Sequence, residues 1–591
     1  MKSNYDKFPE VEIQGHHCYA GWDAVLGQLK LAIQNTHKSK VICAVECYHG
    51  VYTKELIAHL RKELQPVILI ESTAALKDEI AIATMVQPFV TDDPVFGIIT
   101  SLEMGDYFDT VKLAACADKI NSIKEGLIIV IGTGATVLCP AADIMVYADM
   151  PRWEIQLRFR RNKVANIGRN NKTDAFSYKY KHAYFVDWRV CDKHKKQQYN
   201  NINFFLDTTI EENPKMIDAA AFKDAMAQLI ATPFRVVPFF DPGPWGGQWL
   251  KEVCDLDRSE QNFAWGFDCV PEENSLLLRF QNEVMEMPSV NLVFFQPAAL
   301  LGKEVYDFFG DEFPIRFDFL DTMEGGNLSL QVHPLKQYIK DKFGMAYTQD
   351  ESYYFLDAKD EAFVYLGIQE NIVPEQMIAE LEAVQNNGEQ FDAEKYVQKW
   401  QVKKHDHVSI PSGTVHCSGA NTVVLEISAT PYIFTFKLWD WGRMGLDGKP
   451  RPISLEHGKN VIQWNRTTSW TKEHILNLVK PVGSGDGWRE EQTGLDADSF
   501  IETTRTWFTK KVTHNTQGGV NILNLIEGRE AVVESPTNAF APFIIHYAET
   551  FIVPAHVGEY TITPYGESIG TECATMKASV RTEKLENLRI N

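Results

Sequence analysis

The sequence predicts a multidomain protein in which an α/β unit is followed by mainly β structure. Three observations predict it. The chain has 591 residues, more than one hydrophobic core organises, so roughly three or four domains are expected. Residues 1 to about 225 alternate apolar strand-like runs with amphipathic helical stretches. After Pro233 the texture changes to short strands, glycine and proline turns, and aromatic side chains.

The elements follow in order. Val41-Ile-Cys-Ala-Val, Val67-Ile-Leu-Ile and Leu127-Ile-Ile-Val-Ile read as buried strands, the last ending at Gly132-Thr-Gly-Ala. Thr53 to Leu64 reads as a helix between two of them, which is how parallel strands are connected. Arg158 to Gln198 is polar and basic and reads as further elements with exposed loops. Beyond it, Pro242-Gly-Pro-Trp-Gly-Gly is a loop by its turn chemistry. Helical patches at about 374–400 and 454–480 interrupt the strands, and Gly483-Ser-Gly-Asp-Gly-Trp reads as a linker. The domains expected are therefore 1–225, 226–480 and 481–591.

Composition narrows the classes. Hydrophobic residues make up 45% and charged residues 23%, as in ordinary globular proteins. A net charge of −21 argues against a nucleic-acid partner, which needs clustered Lys and Arg. The ten cysteines include no Cys-x-x-Cys pair, which fits reduced thiols in a cytoplasm. The N-terminus lacks an apolar signal core and no run is long enough to span a bilayer, so a soluble, cytoplasmic protein without a membrane partner is expected.

One constellation carries chemistry. Gln331 and His333 stand two apart on a strand pattern and so share a face. His416 follows the turn Pro411-Ser-Gly, and Glu351 lies between the two stretches. Two imidazoles, a carboxylate and an amide oxygen suit zinc. Taken singly, a strand histidine is more often a satisfied core or surface residue.

Residues 233–591 resemble the short, bacterial-type class I mannose-6-phosphate isomerases. The matching segments run in order: Trp245-Gly-Gly-Gln-Trp-Leu, Phe263-Ala-Trp-Gly-Phe-Asp, Phe313-Pro with Phe319-Leu-Asp, and Leu328-Ser-Leu-Gln-Val-His-Pro. Then come Glu351-Ser-Tyr-Tyr-Phe-Leu-Asp-Ala, Val402 to His416, Trp439-Asp-Trp-Gly-Arg and Leu446-Asp-Gly-Lys-Pro-Arg-Pro. The resemblance implies cupin (jelly-roll) barrels with helical insertions, and one zinc ion per chain on Gln331, His333, Glu351 and His416. It implies an aldose–ketose isomerase, an intramolecular oxidoreductase of carbohydrate metabolism acting on a phosphorylated hexose and able to form an oligomer. Glu426 matches a carboxylate proposed for acid–base work, and Lys437 stands where the family usually has Arg, ahead of the retained Arg443. His405, His407, His457 and His556 have no such support and read as structural or surface residues. The Ile-Val-Pro-Ala-His556 stretch echoes the one ending at His416, which suggests a second β-barrel without a full ligand set.

The departures lie at positive charges. Asp318 and Gln349 occupy positions where the family carries cations, and reversing a charge beside a phosphate can cost several kcal/mol in a poorly solvated site. Arg316 shares the strand face of Asp318 and can compensate in part.

Residues 1 to about 225 resemble P-loop nucleoside-kinase-like domains more loosely. After Val41–Val45 comes Glu46-Cys-Tyr-His-Gly-Val-Tyr-Thr-Lys. The Gly-x-x-x-x-Gly-Lys-Ser/Thr pattern that holds phosphates is broken at Val45 and Val51, and Lys54 lies a helical turn too far on. A degenerate domain without ATP-dependent phosphorylation is expected. Two functions stand: a zinc-dependent isomerase interconverting mannose 6-phosphate and fructose 6-phosphate, or a metal-containing cupin that binds a sugar or metabolite with altered specificity or no catalysis, as a pseudoenzyme or regulator.

Overall fold

Long runs of β-branched residues buried on both faces form parallel sheets, whereas alternating runs form antiparallel ones. This chain has both. A computed structural model describes residues 3–387, 390–429, 434–445, 448, 451–494 and 498–588. It divides into two compact units, one of Glu10–Gln228 with Ser275–Asn291, the other of Met1–Pro9, Leu229–Asn274 and Leu292–Asn591.

The first unit is built on a seven-stranded sheet. Five neighbouring strands, in the order Ile68–Glu71, Gly126–Gly132, Lys40–Cys47, Ile144–Asp149 and Phe204–Asp207, are parallel. Lys215–Asp218 and Tyr19–Ala20 add antiparallel strands at one side. The helix Thr53–Leu64 buries Leu56, Ile57 and Leu60 and ends at Gln65 in the left-handed region. Asp78 caps the helix Glu79–Val90 by accepting from the Ala81 amide. The hairpin formed by Ser275–Phe280 and Glu283–Pro288 comes from far along the chain, and Glu10–Glu12 pairs with its first strand. The basic interval is largely helical (Arg152–Arg160, Phe176–His182, Trp188–Gln198), and several of its cations are buried rather than exposed. Lys179 donates to the Phe159 carbonyl, and Lys195 donates to both oxygens of Asp149 and to Asn291.

The second unit carries two pairs of antiparallel sheets. In the first pair, a six-stranded sheet runs His407–Ile410, Asp350–Ala358, Thr422–Ala429, Arg316–Asp321, Trp265–Cys269, Phe239–Asp241. Its five-stranded companion runs Val397–Gln401, Phe363–Ile368, His416–Ser418, Leu330–Val332, Phe436–Trp439. Helices Pro374–Asn387 and Thr468–His474 are the insertions. The second pair, of six and four strands, closes on a core that includes Phe508, Leu523, Leu525, Phe551 and Ile562. The stretch read as a linker is instead a β-hairpin, Val479–Gly485 with Trp488–Thr493, because its glycines sit in paired strands and the turn between them. His556 lies exposed on a short turn of this second pair. His407 is buried, bonded to Thr493, and shielded by Gly494, where a Cβ would fall 2.6 Å from its Nε2.

A buried ionic group ties the N-terminal segment to both pairs of sheets. Arg235 reaches Glu549 at 2.8 Å and Asp268 at 3.5 Å, and all three are at most 2% exposed. Tyr5 donates its hydroxyl to Asp268, which also accepts from the Thr550 amide at 2.6 Å. Removing one member strands the others without water. Asp268→Ala is therefore expected to destabilise by about 3–5 kcal/mol and Tyr5→Phe by about 1 kcal/mol, read as lowered midpoints in urea unfolding.

Candidate metal and ligand site

Strand register brings the sequence-predicted ligands together. Gln331 and His416 are direct partners in the five-stranded sheet. His333 follows the end of the Gln331 strand, and Glu351 comes from the facing six-stranded sheet. The site therefore spans the gap between sheets, where side chains from both inner faces meet.

The geometry is tight and dry. Glu351 Oε2 lies 3.1 Å from His333 Nε2, and Oε1 lies 3.0 Å from His416 Nε2, with all three side chains fully buried. Gln331 places its amide 3.2 Å from His416 Nε2. His333 Nδ1 is 2.9 Å from the Phe434 carbonyl, and His416 Nδ1 is 2.8 Å from the Thr414 carbonyl. A carbonyl only accepts, so each Nδ1 must carry the hydrogen, and each neutral ring then aims an Nε2 lone pair at the carboxylate. Three acceptors thus face one another inside a space of 4.8 Å. Such a set is stable only around a cation or extra protons. Either amide atom of Gln331 can face inward, and its oxygen would be a fourth donor to a metal.

Electrostatics express the same frustration. Burial alone would raise Glu351, but the adjacent His333 and then His416 hold it well below the usual carboxylate range. Burial opposes charge on His333, but Glu351 overcomes it and raises the imidazole; in His416 burial prevails and the value falls. Gln349 donates to Glu351 Oε2 at 2.8 Å and so holds the carboxylate rather than carrying a charge.

A cavity of about 210 Å³ opens beside the cluster and is lined by Glu426, Lys437, Asp318, Gln349, Arg316 and Arg451, among others. Glu426 and Asp318 are direct cross-strand partners. Burial first, then the Glu351 and Asp318 carboxylates, push Glu426 well above the ordinary range. Burial also raises Asp318 to about 8, against the pull of Arg316. Arg316 is itself 3.5 Å from Glu272. Arg443 does not line this cavity. It donates to Asp440 Oδ1 at 2.7 Å and to the Asn327 carbonyl at 2.5 Å. Arg451, in the Leu446-to-Pro452 motif, was not singled out from sequence. It reaches the cavity wall while bonded to Asp440 Oδ2 at 2.8 Å. Its motif was the available signal, but residues 446, 447, 449 and 450 lie outside the described residues. His405 and His457 take tyrosine hydroxyl partners, Tyr354 and Tyr338, away from the cluster.

Comparison with known proteins divides the chain in a similar way. Residues 21–231 match the model of a family described as a domain of unknown function, DUF8485. Among curated proteins, the probable mannose-6-phosphate isomerase GmuF of Bacillus subtilis is 26% identical over 333 residues, 56% of this chain and 96% of that protein. ManA, a mannose-6-phosphate isomerase of the same organism, is 25% identical over 232 residues, 39% of this chain and 68% of that protein. Among solved structures, a mannose 6-phosphate isomerase from Bacillus subtilis aligns at 19% identity with a TM-score of 0.46, covering 59% of this chain and 99% of that one. A putative mannosephosphate isomerase from Archaeoglobus fulgidus aligns at 15% identity with a TM-score of 0.44, covering 59% and 97%. The chain is thus similar in sequence to mannose-6-phosphate isomerases and carries a His-Glu-His cluster able to bind a metal.

Burial, with Arg451 and Arg443 adding to it, lowers Lys437 to about 8 while Asp440 opposes the shift. The ammonium is therefore charged below that value and neutral above it. An affinity of the cavity for inorganic phosphate should fall as pH rises from 7 to 9, because Lys437 loses its charge while Asp318 gains one, and Lys437→Met should reduce that dependence without abolishing it in calorimetric titrations.

Proposed function

We propose that the second unit is a zinc-dependent aldose–ketose isomerase that interconverts mannose 6-phosphate and fructose 6-phosphate. One observation carries the proposal: buried Glu351 sits between two imidazoles that are both locked to present lone pairs, beside a cavity rich in titratable groups. The sequence similarity to mannose-6-phosphate isomerases supports the same reading. The donor set of Gln331, His333, Glu351 and His416 suits zinc, which takes nitrogen and oxygen ligands in small closed arrangements. The paired Nδ1–H···O=C bonds are the outer contacts that fix ring orientation in metal sites.

Isomerisation moves a proton between neighbouring carbons while charge builds on the adjoining oxygens. A bound metal would supply Lewis-acid stabilisation of that charge. The chain's own residues do the rest. Glu426 and Asp318 cannot both ionise in their buried setting, so the pair retains a proton at working pH and can release or accept one at low cost. Glu426, nearer the cluster through its contact with Glu351, takes and returns the carbon-bound proton. Lys437 and Arg451 offer cations to a phosphate or a developing oxyanion. Arg443 acts at one remove, sharing Asp440 with Arg451 and so fixing its guanidinium.

The second reading, a metal-holding cupin of altered specificity without turnover, is favoured by Asp318. Its carboxyl stands in the cavity where an anionic substrate would meet it.

Metal analysis together with a coupled assay separates the readings. The protein as purified should contain about one zinc per chain and convert mannose 6-phosphate. His416→Ala should lose both metal and activity. Glu426→Gln should keep the metal and lose at least about a hundredfold in kcat, the usual scale for a lost general base. Stoichiometric zinc without turnover on any hexose phosphate would leave the binding reading in place.

A further inference from the structure

In the first unit, the carboxyl ends of Lys40–Cys47, Ile68–Glu71 and Gly126–Gly132 open onto a cavity of about 480 Å³. From Lys40–Cys47 the chain passes to strands on one side, then crosses to Ile144–Asp149 on the other. That reversal leaves a crevice between diverging connections, where open α/β sheets take their ligands. We propose that this cavity binds the phosphate group of a small phosphate monoester, by charge and hydroxyl contacts rather than by a phosphate-cradling backbone loop.

The charge balance comes first. Lys54, Lys163 and Lys172 line the cavity, against the two carboxylates Glu71 and Glu211. None of the three ammonium groups has a hydrogen bond or ion pair among the described residues. In a chain of net charge −21, three unpaired lysines on one cavity make it locally cationic, which an anion would balance. Lys62, by contrast, pairs with Glu63 at 3.4 Å, and Lys38 pairs with Asp143.

Deeper in the cavity a serine and a histidine form part of the wall, and one buried ring nitrogen has no partner. Ser72 is 1% exposed and lines the wall, with no side-chain hydrogen bond among the described residues. His49 is 4% exposed; its Nε2 donates to the Ala165 carbonyl at 2.8 Å, which leaves the unpartnered Nδ1 as an acceptor for a hydroxyl of the ester rather than for its phosphate oxygens. Buried polar atoms are rarely left unpaired, since each costs about 1–3 kcal/mol. The helix Thr53–Leu64 begins at the same rim without a side-chain cap, so the positive end of its dipole adds to the lysines.

The same residues argue against a triphosphate. Arg158 stacks on the Tyr52 ring at 3.7 Å and donates to the Gly50 and Thr208 carbonyls, filling the space over the strand-to-helix loop. Within that loop the Val51 amide turns back to the Tyr48 carbonyl and the Thr53 amide to that of Val51. With those two amides turned to main-chain carbonyls, the loop is not an open cradle for a phosphate chain. One phosphate group among three exposed lysines is what the geometry accommodates.

The test uses the full-length chain and calorimetric titration with AMP and with ribose 5-phosphate, each beside its unphosphorylated counterpart, adenosine or ribose. At least one ester should bind while its counterpart does not, which also tells nucleotide from sugar. The binding should weaken at least about tenfold in Lys54→Ala/Lys163→Ala, an exposed pair whose loss leaves the core intact, and should fade with added salt. The same binding should survive Lys437→Ala, which alters the other cavity. Ester binding retained in the double-lysine variant, or lost only in Lys437→Ala, would overturn the proposal, as would no ester binding at millimolar concentration.

Discussion

Three hydrogen-bond acceptors that share a buried point cannot stay as they are, and the second unit is arranged around that constraint. Glu351 is anchored on the six-stranded sheet, and the imidazoles approach it from the five-stranded one. Each ring is fixed through Nδ1 to a main-chain carbonyl, so neither can turn its hydrogen towards the carboxylate without breaking that bond. Replacing such a cluster by apolar residues would often stabilise a fold, because desolvation of charge is expensive. Here each imidazole is held by a second contact, which is how residues able to hold a metal are kept in place.

Around the cluster, charge is layered by distance. Next to it lie the carboxyls of Glu426 and Asp318, which burial and mutual proximity keep from ionising together. Further out, Asp440 accepts from Ser329, Arg443 and Arg451, a carboxylate shared by two guanidinium groups. Arg443 is consumed by this arrangement, while Arg451 keeps one side towards the cavity. The division explains how adjacent cations of one sequence neighbourhood come to do different work: one secures the carboxylate that aims the other.

Local periodicity made much of this legible. The buried parallel strands and the helix Thr53–Leu64 show in the sequence because continuous apolar runs and amphipathic spacing are local patterns, even though the strands' partners lie far along the chain. Gln331, His333, Glu351 and His416 could be grouped because ligand type, spacing and motif order agree, and the structure brings the four together. What the sequence hid depends on long-range contacts. Nothing local marks Ser275–Asn291 as returning to the first unit, since its partners Glu10–Glu12 are some 265 positions earlier. Gly483 to Trp488 looks like a linker by composition, but Val479–Gly485 pairs with Trp488–Thr493, itself laddered to Ile501–Phe508, and that pairing overrides composition. The lysines of the basic interval read as solvated, yet Lys179 and Lys195 are buried because carbonyls and Asp149 receive them. Arg451 was written in a recognised motif, but only Asp440 reveals that it, rather than Arg443, faces the ligand space.

A strongly acidic surface and a taste for anionic ligands are compatible for a reason of scale. Exposed charges lose their reach beyond about 8 Å at physiological salt, so the net charge of −21 says little about the inside of a cavity. What governs there is the nearest few groups and how well they are solvated. In the barrel cavity, burial lowers Lys437 to about 8, and Asp318 stands among the cations, so its charge responds to pH. In the parallel-sheet cavity the lysines are exposed at the rim, so their pull on an anion is open to screening by salt. The two cavities thus belong to different electrostatic regimes: pH should govern anion affinity in the first, and ionic strength in the second.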